Sequence, residues 1–205
     1  MNYKLTDLLE PFGIEDIPFA LFYQFQHALR FELGIGSNRL SQTISAFDRS
    51  RMITKSLIFP DFRETYAVFR TTNEAGAKRQ NQRFFKTLKN YMKLARTDIN
   101  HCGVTPYPDD SDLCCHWYAV KLREQSDIDS LLWFPASAEM GFEPQLWANI
   151  YLLNRNKKIL IHPYDDRGMD VISMDKATLL PLYHQYNEWL LDYDRARMVE
   201  TFSSR

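Results

Sequence analysis

Hydrophobic and polar positions alternate most regularly in the last third of the chain. In LWANIYLLN (146–154), Trp147, Asn149, Tyr151 and Leu153 fall opposite Ala148, Ile150 and Leu152, the period of two expected of a strand. NRNK turns the chain, KILIHPY (158–164) returns, DDRG (165–168) turns it again, and MDVISM (169–174) supplies a third strand. Tight turns between successive strands predict an antiparallel meander. ALRFELG (28–34) repeats the alternation, with Leu29, Phe31 and Leu33 on one face and Arg30 and Glu32 on the other. The stretch before it, FALFYQF, fits helix or strand. TYAVFRTT (65–72) and LCCHWYAVKL (113–122) are strands by β-propensity.

Helical periods fill much of the rest. Residues 3–10 predict a short helix with Thr6 or Asp7 as cap, ended by Pro11 and Gly13. Residues 38–57 follow an Asn38 or Ser37 cap and place Leu40, Ile44, Phe47, Met52 and Ile53 on an apolar stripe, with Pro60 as a stop. AGAK (75–78) turns into a helix over 78–96 that points Phe84, Leu88, Tyr91, Met92 and Ala95 inward. Residues 126–134 predict a short helix capped by Ser126 or Asp127 and followed by Pro135. Asp175 caps a helix through Leu191, with Leu179, Leu182, Tyr183, Tyr186 and Leu190 inward, and a last helix runs from Asp192 to Phe202. HCGVTPYPDDSD (101–112), with two prolines and three aspartates, reads as a loop and as the best place for a boundary. No linker divides the chain. The expectation is a single α+β domain over 1–205, an antiparallel sheet that includes the C-terminal three-stranded meander, with helices packed on it.

Composition narrows the class. Hydrophobic residues make up 45% and charged residues 25%, with only 7 Gly and 9 Pro, which excludes wholesale disorder, collagen and a long coiled coil. The 25 basic and 26 acidic residues give a net charge of −1, so bulk electrostatics select neither nucleic acid nor membrane. Asp7, Glu10, Glu15 and Asp16 stand where a signal peptide needs an apolar run. No stretch approaches the roughly 20 apolar residues of a membrane span. Cys102, Cys114 and Cys115 read as reduced thiols. These features predict a cytoplasmic protein without a membrane partner.

Local charge is less even. Lys78, Arg79, Arg83, Lys86, Lys89, Lys93 and Arg96 occupy one predicted helix that has no acid. Arg79, Arg83, Lys86 and Lys93 share a stripe away from its apolar face, either a docking surface for an acidic partner or an ordinary solvated face. Eight acids between Asp165 and Glu200 face four bases there, so an intramolecular match or head-to-tail self-association are alternatives. In YDDRGMD, Asp165, Asp166, Arg167 and Gly168 read as a hairpin turn, with Gly168 in the positive-φ position. Glu32, Asp165, Asp166 and Asp170 are the alternative, a carboxylate set for a divalent metal in phosphoester or phosphodiester chemistry. Arg30 and Glu32 share a strand face and are candidates for a partner-binding surface if that face is open. HC (101–102) and CCH (114–116) have poor zinc spacing, since only Cys114 and His116 converge on one strand face. No nucleophile elbow or phosphate-binding loop occurs.

RFEL at Arg30–Leu33, DDRG at Asp165–Gly168, the Leu182–Tyr183 pair and the WLLDYDR string at Trp189–Arg195 together resemble a bacterial family, domain of unknown function 3885. The likeness covers the C-terminal third and a short N-terminal stretch, with the middle, 60–145, unmatched. It implies a small bacterial α+β protein and brings no activity, cofactor or catalytic residue. The residues themselves favour a protein-binding module of the partner-masking kind, like the immunity proteins that neutralise toxins. That module needs no cofactor and uses the Arg79, Arg83, Lys86 and Lys93 stripe or the aromatic-rich meander, with Arg30 and Glu32 as further partner-binding candidates. The metal-dependent enzyme above and a nucleic-acid-binding protein using helix 78–96 are the alternatives.

Overall fold

A computed structural model of the protein describes residues 3–73, 77–92, 98–108, 110–141, 145 and 148–203. Its frame is one seven-stranded sheet in the order β1-β7-β6-β5-β2-β4-β3. The strands are β1 (Ala28–Glu32), β2 (Thr65–Thr72), β3 (Asn100–Tyr107), β4 (Asp110–Lys121), β5 (Asn149–Asn154), β6 (Ile159–Pro163) and β7 (Gly168–Ser173). Every pairing is antiparallel. The class is therefore α+β, as the patterning predicts, and the C-terminal meander forms the middle of a larger sheet. No helix among the described residues is long and apolar enough to cross a membrane.

The segment read as a loop, 101–112, is instead most of the β3–β4 hairpin. β3 lies at the sheet's edge, where a proline such as Pro106 forfeits no interior ladder bond. A register shift between His101 and Gly103 bends the strand further. Asp110 and Asp112, two of the aspartates that suggested a loop, lie at the exposed start of β4.

Among the described residues seven α-helices accompany the sheet: α1 (Leu5–Leu9), α2 (Leu21–Gln24), α3 (Arg39–Ile58), α4 (Ala77–Tyr91), α5 (Gln125–Ser137), α6 (Lys176–Gln185) and α7 (Arg195–Ser203). α1 starts from Lys4, whose amide donates to Asp7 at 3.1 Å, so Asp7 serves the cap from inside the first turn. Asn38 caps α3 as expected, accepting from the Ser41 amide at 3.0 Å. The buried face of α3 differs from the predicted stripe. Thr43, Ala46, Ser50, Ile53, Thr54 and Leu57 are buried, while Leu40 is 56% exposed, Ile44 50% and Met52 48%. Small side chains carry this inner face. Ser50 spends its hydroxyl on the Phe47 carbonyl at 2.9 Å, which lets a polar residue sit in the core. α5 packs beside α3 through the Phe47–Trp133 ring contact and an Arg51–Asp129 ion pair at 2.9 Å. It runs through Pro135 rather than stopping before it.

Asp175 caps α6, accepting from the Ala177 amide at 3.0 Å. α6 accommodates Pro181 inside it and ends at Gln185 rather than Leu191. A 3-10 turn at Asn187–Trp189 follows. The chain then extends so that Leu190 bridges Phe31 and the Leu191 amide donates to the Arg30 carbonyl at 2.9 Å. The last segment thus closes the β1 edge of the sheet.

One sheet face carries a row of polar and aromatic side chains. Asp170 pairs in register with Arg30 on one side and His162 on the other. His162 stacks on Tyr151 at 4.4 Å, and Arg70 pairs with Trp117. The N-terminal segment covers this row. The Phe19 ring lies 3.5 Å from the Arg70 guanidinium carbon, and the Phe22 amide donates to Asp170 at 3.1 Å.

Candidate functional site at the β1–β7 edge

Arg30 and Asp170 are cross-strand neighbours on β1 and β7. Their contact is bidentate, Nε to Oδ1 at 2.7 Å and Nη2 to Oδ2 at 3.0 Å, the fork geometry that makes arginine–carboxylate pairs strong. Nη1 reaches Asp194 at 2.9 Å and the Tyr23 hydroxyl at 3.2 Å, and Tyr23 donates to Asp194 at 2.9 Å. The guanidinium also lies over the Phe22 and Tyr23 rings. The Asp170 hydrogen bond holds Arg30 charged, well above the ordinary range. This network ties α2, β1, β7 and the approach to α7 into one knot. Arg30 is therefore not part of an open surface pair with Glu32; it is spent inside.

The turn after β6 behaves as its sequence predicts in one respect. Asp165 accepts from the Arg167 amide at 2.8 Å and pairs with the Arg167 side chain. Gly168 is not a positive-φ residue, since only Gly13, Gly36 and Gly141 among the described glycines have that conformation. Glycine is needed there because a Cβ would collide with the Tyr164 hydroxyl and come 2.8 Å from the Phe31 carbonyl oxygen. Gly34 has a matching role. A Cβ at that position would lie 2.5 Å from the Asp166 carbonyl oxygen, and beside it the Leu33 amide donates to the Arg167 carbonyl at 2.8 Å. The two glycines let the strand ends approach backbone to backbone.

Over this junction opens a cleft of about 540 Å³, lined by Glu32, Gly34, Arg39, Gln42, Glu139, Asp166, Arg167 and Leu191. Asp166 is 8% exposed. Burial, then the charges of Asp165 and Glu139, push its carboxyl above the ordinary aspartate range. Arg39 pairs with Glu139 at 3.3 Å across the rim. The four carboxylates proposed for a metal do not converge. Asp170 is held by Arg30 and Asp165 by Arg167, and no cluster of three or more His, Cys, Asp or Glu suited to a metal occurs among the described residues.

The remaining predicted residues lie elsewhere. Arg79, Arg83, Lys86 and Lys89 are exposed on α4, which packs on β2, far along the strand order from β1. Lys93 lies outside the described residues. None of the four exposed cations has an acidic partner among the described residues. Lys86 and Lys89 edge a second cavity of about 530 Å³ with Gln82, Phe85, Ile99, His101 and Tyr118. Most acids of the C-terminal third are engaged within the chain, Asp165, Asp170, Asp192 and Asp194 with arginines and Asp175 as a cap, which leaves little for a head-to-tail match. All three cysteines are free thiols, and burial pushes Cys102 up to about 12. It is protonated at neutral pH and so a poor nucleophile.

The strings RFELG, DDRG and DYDR supply Arg30 and Asp194 to the network and Glu32, Gly34, Asp166 and Arg167 to the cleft. The family profile described as domain of unknown function DUF3885 matches residues 6–194. The chain belongs to the DUF3885 family. The match crosses the middle of the chain as well as its ends. An uncharacterised protein of Bacillus subtilis (strain 168), YnaE, is 25% identical over 154 residues, covering 67% of this chain and 72% of that protein. No solved structure matches. In this DUF3885 chain Arg30 of RFEL and Asp194 of DYDR meet in one ion pair, a role in cohesion. Asp166 and Gly34 face the cleft. Sequence reading missed Asp194 as Arg30's partner. The signal was present only as an acid in a family string 164 residues away.

Proposed function

We propose that this DUF3885 protein is a non-catalytic binding module that receives an acidic partner protein on the outer face of α4. The observation that carries the reading is the row of four exposed cations, Arg79, Arg83, Lys86 and Lys89, with no acid among the described residues to neutralise it. In a chain of net charge −1, this is a local field rather than a general one, suited to steering and orienting one partner. The cavity beside it adds apolar contact. Phe85 and Tyr118 meet edge to face at 4.9 Å, and with Ile99 they give it an apolar wall below Lys86 and Lys89. An apolar centre with a charged rim is the usual anatomy of a protein interface. Masking a partner needs such a surface and no catalytic group.

The test is purification of the tagged protein from its host, with the wild type and the Arg83→Glu/Lys86→Glu variant compared by mass spectrometry. The expected result is one stoichiometric acidic protein that the variant loses. A partner retained equally by the variant would overturn the α4 assignment. Salt-sensitive binding of a short DNA or RNA duplex in its place would move the same face to nucleic acid.

A further inference from the structure

We propose that the cleft at the β1–β7 edge binds an organic cation, an ammonium or guanidinium head group, on the Asp166 carboxylate.

Asp166 is more than nine-tenths buried, yet it lines an open cleft. Among the described residues no cation, hydroxyl or other residue's amide reaches its carboxylate. Its carboxylate opens on the cleft without a hydrogen-bond partner from any other described residue, and the surroundings add negative charge. Asp165 and Glu139 add like charge, and Arg167, the cation next to it, is turned to Asp165. Glu32 and Glu139 line the same cleft, and Arg39 at its rim is held by Glu139. This arrangement suits a positive charge. Burial and the neighbouring like charges raise the Asp166 carboxyl.

The ligand's class follows from the donors. A divalent metal takes about six oxygen ligands, and no group of three or more metal-binding side chains stands here or elsewhere among the described residues. A guanidinium or ammonium needs one or two carboxylates and an apolar wall for its stem. Asp166 and Glu139 supply the first and Leu191 the second. The inference is independent of the α4 reading.

The experiment is a set of ¹H–¹⁵N correlation spectra of the full chain, titrated at low ionic strength. The probes are methylguanidinium, butylammonium, the neutral N-methylurea, Mg²⁺ and the peptide acetyl-Gly-Arg-Gly-amide. The two cations should shift the Gly34, Arg167 and Gly168 amides saturably, and N-methylurea should not. Asp166→Asn should weaken binding roughly tenfold and Glu139→Gln a few-fold. Glu139 is exposed, so its variant keeps the test alive if Asp166→Asn does not fold. Affinity should rise with pH as Asp166 ionises; the other charged groups that face it are Asp165, Glu139, Glu32, Arg39 and Arg167. Tighter binding of the peptide than of methylguanidinium would assign the head group to a partner's arginine; equal binding would assign it to a small molecule. Absent shifts, shifts unchanged in both variants, or a response to Mg²⁺ alone would overturn the proposal.

Discussion

The two edges of the sheet use charge in opposite ways. At the β1–β7 edge, Arg30, Asp170 and Asp194 are paired at 2.7–2.9 Å and largely buried, and the Asp166 carboxylate faces the cleft without an ion pair among the described residues. Near the β4–β3 edge, α4 displays four exposed cations that no described acid answers. The net charge of −1 conceals both. Charge at the first edge holds the chain together, and charge at the second is free to act on something else. Substitutions should therefore separate stability from recognition by location.

The largest effect is expected at Asp170. Asp170→Ala leaves Arg30 without its bidentate partner and the Phe22 amide without an acceptor. Removing one member of a buried pair typically costs about 3–5 kcal/mol. The lower end applies here, because Arg30 keeps Asp194 and some solvent. Urea unfolding checks it; a loss below about 1 kcal/mol would make the network an ordinary surface pair. Gly34→Ala ranks next. The obstructing atom is the Asp166 backbone oxygen at 2.5 Å, which cannot swing aside. Forcing the strand ends apart should cost about 1–3 kcal/mol and broaden the Leu33 and Arg167 amides in exchange measurements.

How much of this was legible in the sequence depends on what each residue's neighbours contribute. β1 was readable because alternation reports burial directly, with Leu29 and Phe31 buried and Glu32 exposed; the meander, buried on both faces, was readable from its β-forming runs and the tight turns between them. α3 was readable as a helix but not in phase, since its inner face uses Thr43, Ala46 and Ser50, which no hydrophobicity pattern marks. The β3–β4 hairpin was hidden by Pro106 on the edge strand β3 and by Asp110 and Asp112 at the exposed start of β4. Within the site, Arg30, Asp165 and Asp166 stood out as charges, but their roles did not. Whether an arginine is spent inside or offered outside is decided by Asp170 and Asp194, 140 and 164 residues away. Gly168 shows the same limit. Its turn was visible, while the reason for glycine lay in Tyr164 and Phe31.

Between the two edges lies His162, buried and stacked on Tyr151, its Nε2 without a hydrogen-bond partner among the described residues. Burial, with Arg70 and Arg30 nearby, lowers its pKa to about 3, against about 6.5 in the unfolded chain. Below 6.5 the unfolded state takes up a proton that the fold refuses. Stability therefore falls as pH drops from 6.5 towards 3, at up to about 1.4 kcal/mol per pH unit. His162→Phe should flatten this part of the wild-type curve in thermal melts at pH 6, 5 and 4; parallel curves would show that His162 is not the group responsible. Asp166 has the opposite sign. Its folded pKa is raised, so the ionised form costs stability above that pKa, and the cost fades as pH falls towards the unfolded value. Asp166→Asn should raise Tm at pH 7 by roughly 1–3 °C and by less at pH 4. A lowered Tm at pH 7 would mean that the carboxylate has a stabilising partner.

The smallest effect on stability, and the sharpest test of the comparison, belongs to α4. Arg83 and Lys86 are exposed, and no ion pair joins either to a described residue. Reversing both to glutamate removes no packing and no native bond, and surface changes of this kind usually stay within about 0.5 kcal/mol. The helix even gains charge balance, since its described residues contain no acid. Folding should thus be unmoved while the field that would steer a partner changes sign. An acidic partner should then lose at least tenfold in affinity, about 1.4 kcal/mol, with its association rate more affected than its dissociation rate and the difference shrinking as salt is added. The Asp170→Ala protein should show the reverse, a weakened fold with α4 binding intact at temperatures where it remains folded. If the α4 reversal instead lowered stability as Asp170→Ala does, the cations would be structural at both edges, and the division drawn between them would not stand.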